Sequence, residues 1–224
     1  MDHYTALSTV LFDLDGTLLD TAPDFASAIN SLLRDHQRQP LDYAAIRPVV
    51  SNGSGALVTL CFDITEEHSG FEPLRRELLT LYSQCLAQHS RPFTGITQLL
   101  DWLDREQLRW GIVTNKPRRY TDPLLERLGL SQRSHVTLCP DDVQQNKPDP
   151  ESLLLACSRL SCSPEQTIYI GDHRRDIDAG KNAGMRTVVA NYGYIADEQQ
   201  TADWQADFYV DCASELPALL QSLR

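Results

Sequence analysis

Four short groups of residues carry the chemistry this chain could perform. Asp13 and Asp15 stand two apart in Asp13-Leu14-Asp15-Gly16-Thr17, and a hydroxyl and an amide follow in Thr114-Asn115-Lys116. A lysine sits on the proline-stiffened loop Lys147-Pro148-Asp149-Pro150, and Gly171-Asp172 is followed four residues later by Asp176. If the fold gathers these groups, three or four carboxylates meet one hydroxyl and one lysine. So much negative charge is costly to assemble unless a cation or a proton offsets it. Oxygen ligands without histidine or thiolate point to Mg²⁺.

The groups are positioned by the elements that precede them. Residues 8–13 read as a buried strand, a short apolar and β-rich run that stops at acidic residues and glycine. A helix is expected from Ala22 to Leu33, with Thr21 as N-cap, Asp24 three residues on and Pro23 in the first turn. Residues 43–49, 56–62 and 73–87 read as helices, with breaks at Ser51-Asn52-Gly53-Ser54-Gly55 and His68-Ser69-Gly70 and a return at Arg91-Pro92-Phe93-Thr94-Gly95. Beyond Gly95 helix and strand alternate: helices over 96–106, 117–128, 150–160, 175–183 and 214–223, strands over 109–114, 136–139, 167–170, 187–190 and 208–210. Repeated βα units imply a parallel sheet covered by helices, so the fold class is α/β, a Rossmann-like core with an inserted helical cap. The core is read as 1–18 plus 92–224 and the cap as 19–91. Ligands of such sheets bind beyond the carboxyl ends of the strands, which is where the four groups fall.

Composition narrows the class. The chain has 224 residues, 42% of them apolar and 23% charged, which excludes collagen-like and disordered chains. Twenty basic against 31 acidic residues give a net charge of −11, which argues against a nucleic-acid or anionic-membrane binder. The first lysine or arginine is Arg34, and no apolar stretch reaches the roughly 18 residues of a membrane span, so a cytoplasmic protein is expected. Six cysteines are scattered without C-x-x-C spacing and six histidines without H-x-x-x-H, against a disulfide framework or a zinc site.

The ordered set D-L-D-G-T-L-L-D-T, V-T-N-K, K-P-D-P and G-D-x-x-x-D resembles the four motifs of the haloacid-dehalogenase-like phosphohydrolases, and its spacing suits the first-subclass (C1-type) helical cap. The resemblance spans the chain and implies a Mg²⁺-dependent phosphatase acting on a small phosphorylated molecule as a monomer or small homo-oligomer. It makes Asp13 the nucleophile that forms an aspartyl-phosphate and Asp15 the general acid/base, roles carboxylates can fill. Thr114, Asn115 and Lys147 would bind the phosphoryl oxygens. Asp13, the Asp15 backbone carbonyl and Asp172 would hold the metal, with Asp176 either binding it through water or orienting Lys147. The chain as a whole is similar to the phosphoglycolate phosphatase branch. More narrowly, D-T-A-P-D-F, R-W-G-I-V-T-N-K-P-R-R-Y-T-D-P-L-L and N-Y-G-Y-I are similar to the N-acetylmuramic acid 6-phosphate phosphatases of peptidoglycan recycling.

Arg47 with Ser51, Asn52 and Gly53 in the cap, and Arg118, are the expected substrate contacts, because both candidate esters carry a carboxylate besides the phosphate. The glycine stretch lacks the G-x-x-x-x-G-K-[ST] pattern and follows no strand, so it is not read as a nucleotide loop. A sugar phosphomutase shares the aspartate pair, and a phospho-aspartate receiver domain shares the acidic sheet edge. The size of the cap and the D-x-D-G-T order weigh against the receiver.

Overall fold

The computed structural model describes residues 6–195 and 198–224. In chain order the strands are β1 (Thr9–Phe12), β2 (Leu19–Asp20), β3 (Arg91–Pro92), β4 (Arg109–Val113), β5 (Thr137–Leu138), β6 (Thr167–Gly171), β7 (Arg186–Ala190) and β8 (Phe208–Val210). The helices are α1 (Ala22–Asp35), α2 (Tyr43–Ile46), α3 (Gly53–Phe62), α4 (Phe71–Cys85), α5 (Ile96–Arg105), α6 (Arg118–Arg127), α7 (Glu151–Leu160), α8 (Arg174–Asn182) and α9 (Leu216–Ser222). The chain divides into two compact units, 1–19 with 92–224, and 20–91.

The first unit is an α/β fold built on a six-stranded sheet in the order β5-β4-β1-β6-β7-β8, with parallel pairing between neighbouring strands. Its central strands are buried throughout, because a sheet covered on both faces has no solvent side and so selects continuous apolar runs such as Thr9–Phe12. Side chains alternate across it. Leu11, Val113, Leu138 and Tyr169 face the layer of Leu153, Ala156, Cys157 and Ala179 from α7 and α8. On the other face Phe12 meets Trp110 edge-on, with ring centroids 6.4 Å apart.

Register decides where the chemistry lands. Thr9 lies opposite both Arg109 and Thr167, and Phe12 opposite both Ile112 and Ile170. The strands β4, β1 and β6 therefore end at one level. The chain runs outward from β1 to β4 and β5 and then returns to β6 on the other flank of β1, so the strand order reverses at β1, the kind of switch point at which open α/β folds bind ligands.

The second unit, 20–91, is helical. Phe25, Ala28, Ile29, Leu32 and Leu33 form the buried stripe of α1, and Phe25 stacks on Tyr82 of α4 at 3.9 Å. Two expectations are corrected here. Thr21 occupies the N-cap position of α1 but makes no side-chain cap bond, and Asp24, fully buried, accepts instead from the backbone N–H groups of His89 (2.7 Å) and Ser90 (3.3 Å) and from the Ser90 hydroxyl. A buried carboxylate needs several donors, and the chain returning from α4 supplies more than one helix turn can. The break expected over Ser51–Gly55 is narrower than expected: a 3₁₀ turn (Arg47–Asn52) ends at Gly53, whose backbone (φ +85°, ψ 176°) is not helical, and α3 opens there rather than after Gly55. No helix among the described residues is long and apolar enough to cross a membrane.

Candidate active site

At the common edge of β4, β1 and β6 the ladder continues one residue beyond the strands. The Asp13 N–H donates to the Ile170 carbonyl (2.9 Å) and the Thr114 N–H to the Leu138 carbonyl (3.0 Å). Asp13 and Thr114 are thereby held rigidly, and Asp172 follows directly on β6. All three lie in the α/β unit, as do Asp15, Asn115, Lys147 and Asp176.

Lys147 is the hub. Its loop is pinned by the Asp149 carboxylate, which accepts the Glu151 N–H at the start of α7 (2.9 Å), and by Asn115, whose amide donates to the Lys147 carbonyl (3.1 Å). The ammonium, with a side chain only 1% exposed, has four acceptors within reach of its three hydrogens: Asp13 Oδ1 (2.9 Å), Asp176 Oδ1 (2.7 Å), the Tyr169 hydroxyl (2.7 Å) and the Val113 carbonyl (3.0 Å). Burial alone would push this ammonium down, but Asp13 and Asp176 outweigh it and hold it above the usual lysine range. Asp13 moves too: burial pushes its carboxyl up to about 6 against the opposing pull of Lys147, with Asp176 and Asp15 adding to the rise. A cation closer to Asp13 than Lys147 alone would restore its ionised form.

Asp13, Asp172 and Asp176 bring carboxylate oxygens within 4.8 Å of one another. This all-oxygen set, with no histidine or thiolate, fits a hard divalent cation. Asp172 is 2% exposed and fixed at both oxygens, by the Thr17 hydroxyl on Oδ1 (3.2 Å) and the Tyr194 N–H on Oδ2 (2.9 Å). Gly16 lies under it in the left-handed region (φ +82°), where a Cβ would stand 2.8 Å from Asp172 Oδ1. Glycine is required there twice over, for conformation and for space. Asp176 takes Lys147 on one oxygen and the His173 N–H on the other (3.0 Å) as the third residue of α8.

Asp15 is held by a residue the sequence reading left without a role. The Lys116 ammonium, itself buried, donates to both carboxylate oxygens of Asp15 (3.0 and 3.2 Å). The Lys116 N–H donates to Thr114 Oγ1 (3.1 Å), which leaves the Thr114 hydroxyl hydrogen to point at an acceptor. The side chain of Asn115 serves the Lys147 loop as described. Tyr169 is the second residue missed, and its hydroxyl donates to the Val113 carbonyl (2.8 Å) beside Lys147. Lys116 directly follows the motif residues Thr114 and Asn115, and Tyr169 stands two before Gly171, so adjacency was the one available signal.

The remaining expected contacts are Arg47, Ser51, Asn52, Gly53 and Arg118. Arg47, Ser51, Asn52 and Gly53 lie in the helical unit on the 3₁₀ turn and the start of α3, where Arg47 and Asp20 both bond the Tyr43 phenol. Arg118, expected to contact the substrate carboxylate, has partners within its own unit. Its guanidinium donates to Asp122 (3.1 Å), to Asp142 and to the Thr137 carbonyl (3.3 Å). A guanidinium with these partners braces α6 against β5.

The family described as haloacid dehalogenase-like hydrolase matches residues 10–190. An N-acetylmuramic acid 6-phosphate phosphatase of Pseudomonas aeruginosa is 47% identical over 210 residues, 94% of this chain and 93% of that protein. A phosphoglycolate phosphatase of Xylella fastidiosa is 38% identical over 91% of this chain and 88% of its own length. The crystal structure of a predicted phosphoglycolate phosphatase from Haemophilus somnus superposes with a TM-score of 0.85 at 26% identity, covering 96% of this chain and 98% of that one.

Proposed function

The chain belongs to the haloacid dehalogenase-like hydrolases, and on that premise we propose that it is a Mg²⁺-dependent phosphomonoesterase that works through a phosphorylated Asp13, with N-acetylmuramic acid 6-phosphate as its main ester. The observation that carries the chemistry is a buried carboxylate, Asp13, ion-paired to Lys147, with a second carboxylate two residues on held by its own lysine.

In the first half-reaction an Asp13 carboxylate oxygen attacks phosphorus and the ester P–O bond breaks. Asp15 gives its proton to the departing alcohol. Splitting the reaction in this way means that water then hydrolyses an acyl phosphate rather than an ester. In the second half-reaction Asp15 takes a proton from that water, phosphate leaves, and the Asp13 carboxylate is restored. Thr114 and Lys147 face the charge that spreads over the transferring oxygens, a hydroxyl hydrogen and a fixed ammonium that need no reorganisation at the moment of reaction. Asp13, the Asp15 carbonyl and Asp172 would hold Mg²⁺, with Asp176 behind them steadying Lys147. When bound, the ion supplies positive charge that draws the phosphoryl group toward Asp13 despite their repulsion.

The choice of ester rests on relatives. The N-acetylmuramic acid 6-phosphate phosphatase of Pseudomonas aeruginosa is more similar to this chain (47%) than the phosphoglycolate phosphatase of Xylella fastidiosa (38%), which supports the muramic ester first and 2-phosphoglycolate second. Arg47 with Ser51, Asn52 and Gly53 are retained as candidates for reading the rest of the ester. Arg118, with its guanidinium engaged, is the weaker one. The six cysteines are free thiols, which supports a reducing, cytoplasmic setting.

The test is phosphate release from N-acetylmuramic acid 6-phosphate, 2-phosphoglycolate and glucose 6-phosphate, each with Mg²⁺ and with excess EDTA. Metal-dependent release with the muramic ester preferred supports the reading, and preference for 2-phosphoglycolate transfers the substrate assignment. Isomerised sugar phosphate with little free phosphate points to a mutase. Undiminished release in EDTA removes the metal from the account.

A further inference from the structure

The segment Asn191-Tyr192-Gly193-Tyr194, which the chemistry above leaves without a task, lies against the carboxylate assigned to the metal. It follows β7 as a tight turn, with the Gly193 N–H on the Ala190 carbonyl (3.0 Å), and is tied to β8 by the Asn191 N–H on the Val210 carbonyl (2.9 Å) and by the Asn191 amide on Asp211 (2.8 Å). From this anchored turn the Tyr194 N–H reaches Asp172 Oδ2 (2.9 Å), and the Tyr192 hydroxyl donates to the Thr17 carbonyl (3.1 Å). Thr17 in turn gives its hydroxyl hydrogen to Asp172 Oδ1 (3.2 Å). Both oxygens of one carboxylate are thus aimed by a single connected structure.

Gly193 has a specific reason to be glycine. Its φ lies outside the positive values recorded for Gly16, Gly53, Gly95, Gly129 and Gly184, so an L side chain is conformationally acceptable there. What it lacks is room. A Cβ would fall on the Asp172 Cβ and 2.8 Å from its Cγ. The backbone of the turn is pressed against the aspartate as closely as a residue without a side chain allows.

The outer side of the turn is held by an aromatic group. Phe93, whose N–H donates to the Leu18 carbonyl (3.1 Å), meets the Tyr192 ring at 5.2 Å and 60° and the Tyr194 ring at 6.1 Å and 57°. Such edge and tilted contacts fix ring orientation as well as bury area. Thr17 and Leu18, from the loop that also carries Asp13 and Asp15, therefore connect through Tyr192 and Phe93 to the turn that bonds Asp172.

We propose that Thr17, Phe93 and the 192–194 turn form a clamp that orients Asp172 for its cation, with Gly193 and Thr17 acting as positioning residues for metal affinity. The proposal rests on the Mg²⁺ reading above. Partners that orient a ligating carboxylate typically change metal affinity about 10- to 100-fold when removed. A group that only held the fold together would lower the melting temperature without altering the response to the ion.

The experiment is a titration of the rise in melting temperature with Mg²⁺ for the parent chain and for Gly193→Ala, Thr17→Val and Thr17→Ser, since a ligand stabilises according to its concentration over its dissociation constant. Phosphate release is measured on the same samples. Gly193→Ala is expected to need about 10- to 100-fold more Mg²⁺ for the same rise. Thr17→Val, nearly isosteric, is expected to need about 10-fold more, the low end of what the loss of one hydrogen bond to a charged group costs. Thr17→Ser, which keeps the hydroxyl, is expected to match the parent. If Gly193→Ala does not fold, the two Thr17 variants decide. Mg²⁺ requirements within about twofold of the parent for Gly193→Ala and Thr17→Val overturn the clamp, as does a parent chain whose melting does not respond to Mg²⁺. A parent that responds to Mg²⁺ but releases no phosphate overturns the phosphatase reading and leaves the clamp to be judged by the affinities.

Discussion

Replacing Lys147 with methionine removes the ammonium that pairs with two buried carboxylates. Its ammonium lies 2.9 Å from Asp13 and 2.7 Å from Asp176, whose side chains are 13% and 1% exposed. Breaking a buried pair from one side leaves the other charge without compensation and typically costs about 3–5 kcal/mol. For a chain of this size each kcal/mol is worth roughly 2–4 °C, so the melting temperature in EDTA should fall by about 6–20 °C. The sign with pH follows from the same groups. The raised pKa of Lys147 keeps its stabilising contribution complete in the parent at neutral pH, because it is lost only as pH rises through the folded value. In the variant the pull of Lys147 that opposes the burial of Asp13 is gone, so the Asp13 carboxyl retains its proton more readily than in the unfolded chain, and stability falls as pH rises from the ordinary carboxylate range through the raised value. A divalent cation can stand in for the missing charge, so Mg²⁺ should restore part of the loss, and more in the variant than in the parent. Phosphate release should fall about 10²–10³-fold even at saturating Mg²⁺, since a fixed charge on the transferring oxygens is gone. The assay is calorimetry in EDTA and in Mg²⁺ alongside phosphate release. A variant that melts within about 2 °C of the parent in EDTA and keeps most of its activity would refute the reasoning.

Asp15→Asn should lower kcat/KM for an alkyl phosphate about 10²–10⁴-fold, but far less for p-nitrophenyl phosphate, whose leaving group needs no proton. Equal losses on the two esters would remove Asp15 as the acid. Mg²⁺ affinity should weaken below about pH 6, where the Asp13 carboxyl, raised by burial, holds its proton against the metal, and titrations at several pH values read this directly. His173, lowered to about 4 by burial and by Arg175, accepts the Arg175 N–H at the start of α8 (3.1 Å) only while neutral. The unfolded chain binds that proton first, so stability should decline as pH falls from about 6.5 toward 4, and His173→Asn should flatten the decline seen in denaturant melts.

Much of the architecture was legible because it depends on local patterns. The apolar run before Asp13 is a strand buried on both faces, and in a parallel sheet the residue after such a strand lies at the ligand edge; Thr114 and Asp172 follow by the same rule. What escaped depends on side chains that meet across long separations. Lys116 reaches Asp15 across 101 residues and Tyr192 reaches Thr17 across 175, and no periodicity encodes either meeting. Local propensity also misled where tertiary demands were stronger. Ser51-Asn52-Gly53-Ser54-Gly55 has the composition of a loop, yet the break is confined to Gly53, and α3 starts there and buries Leu57, Val58, Cys61 and Phe62. Asp24 sits where a capping residue belongs but is drawn to His89 and Ser90, which offer a buried carboxylate more donors.

In the proposed mechanism Asp13 carries the phosphoryl group. The direct measurement is to quench a turnover mixture in acid, reduce it with borohydride, digest it and sequence the peptides by mass spectrometry. A phosphorylated Asp13 is converted to homoserine, so homoserine at position 13, present with substrate and Mg²⁺ and lost with EDTA, is the predicted result. Homoserine at another aspartate, or aspartate recovered unchanged at position 13 during active turnover, would contradict it.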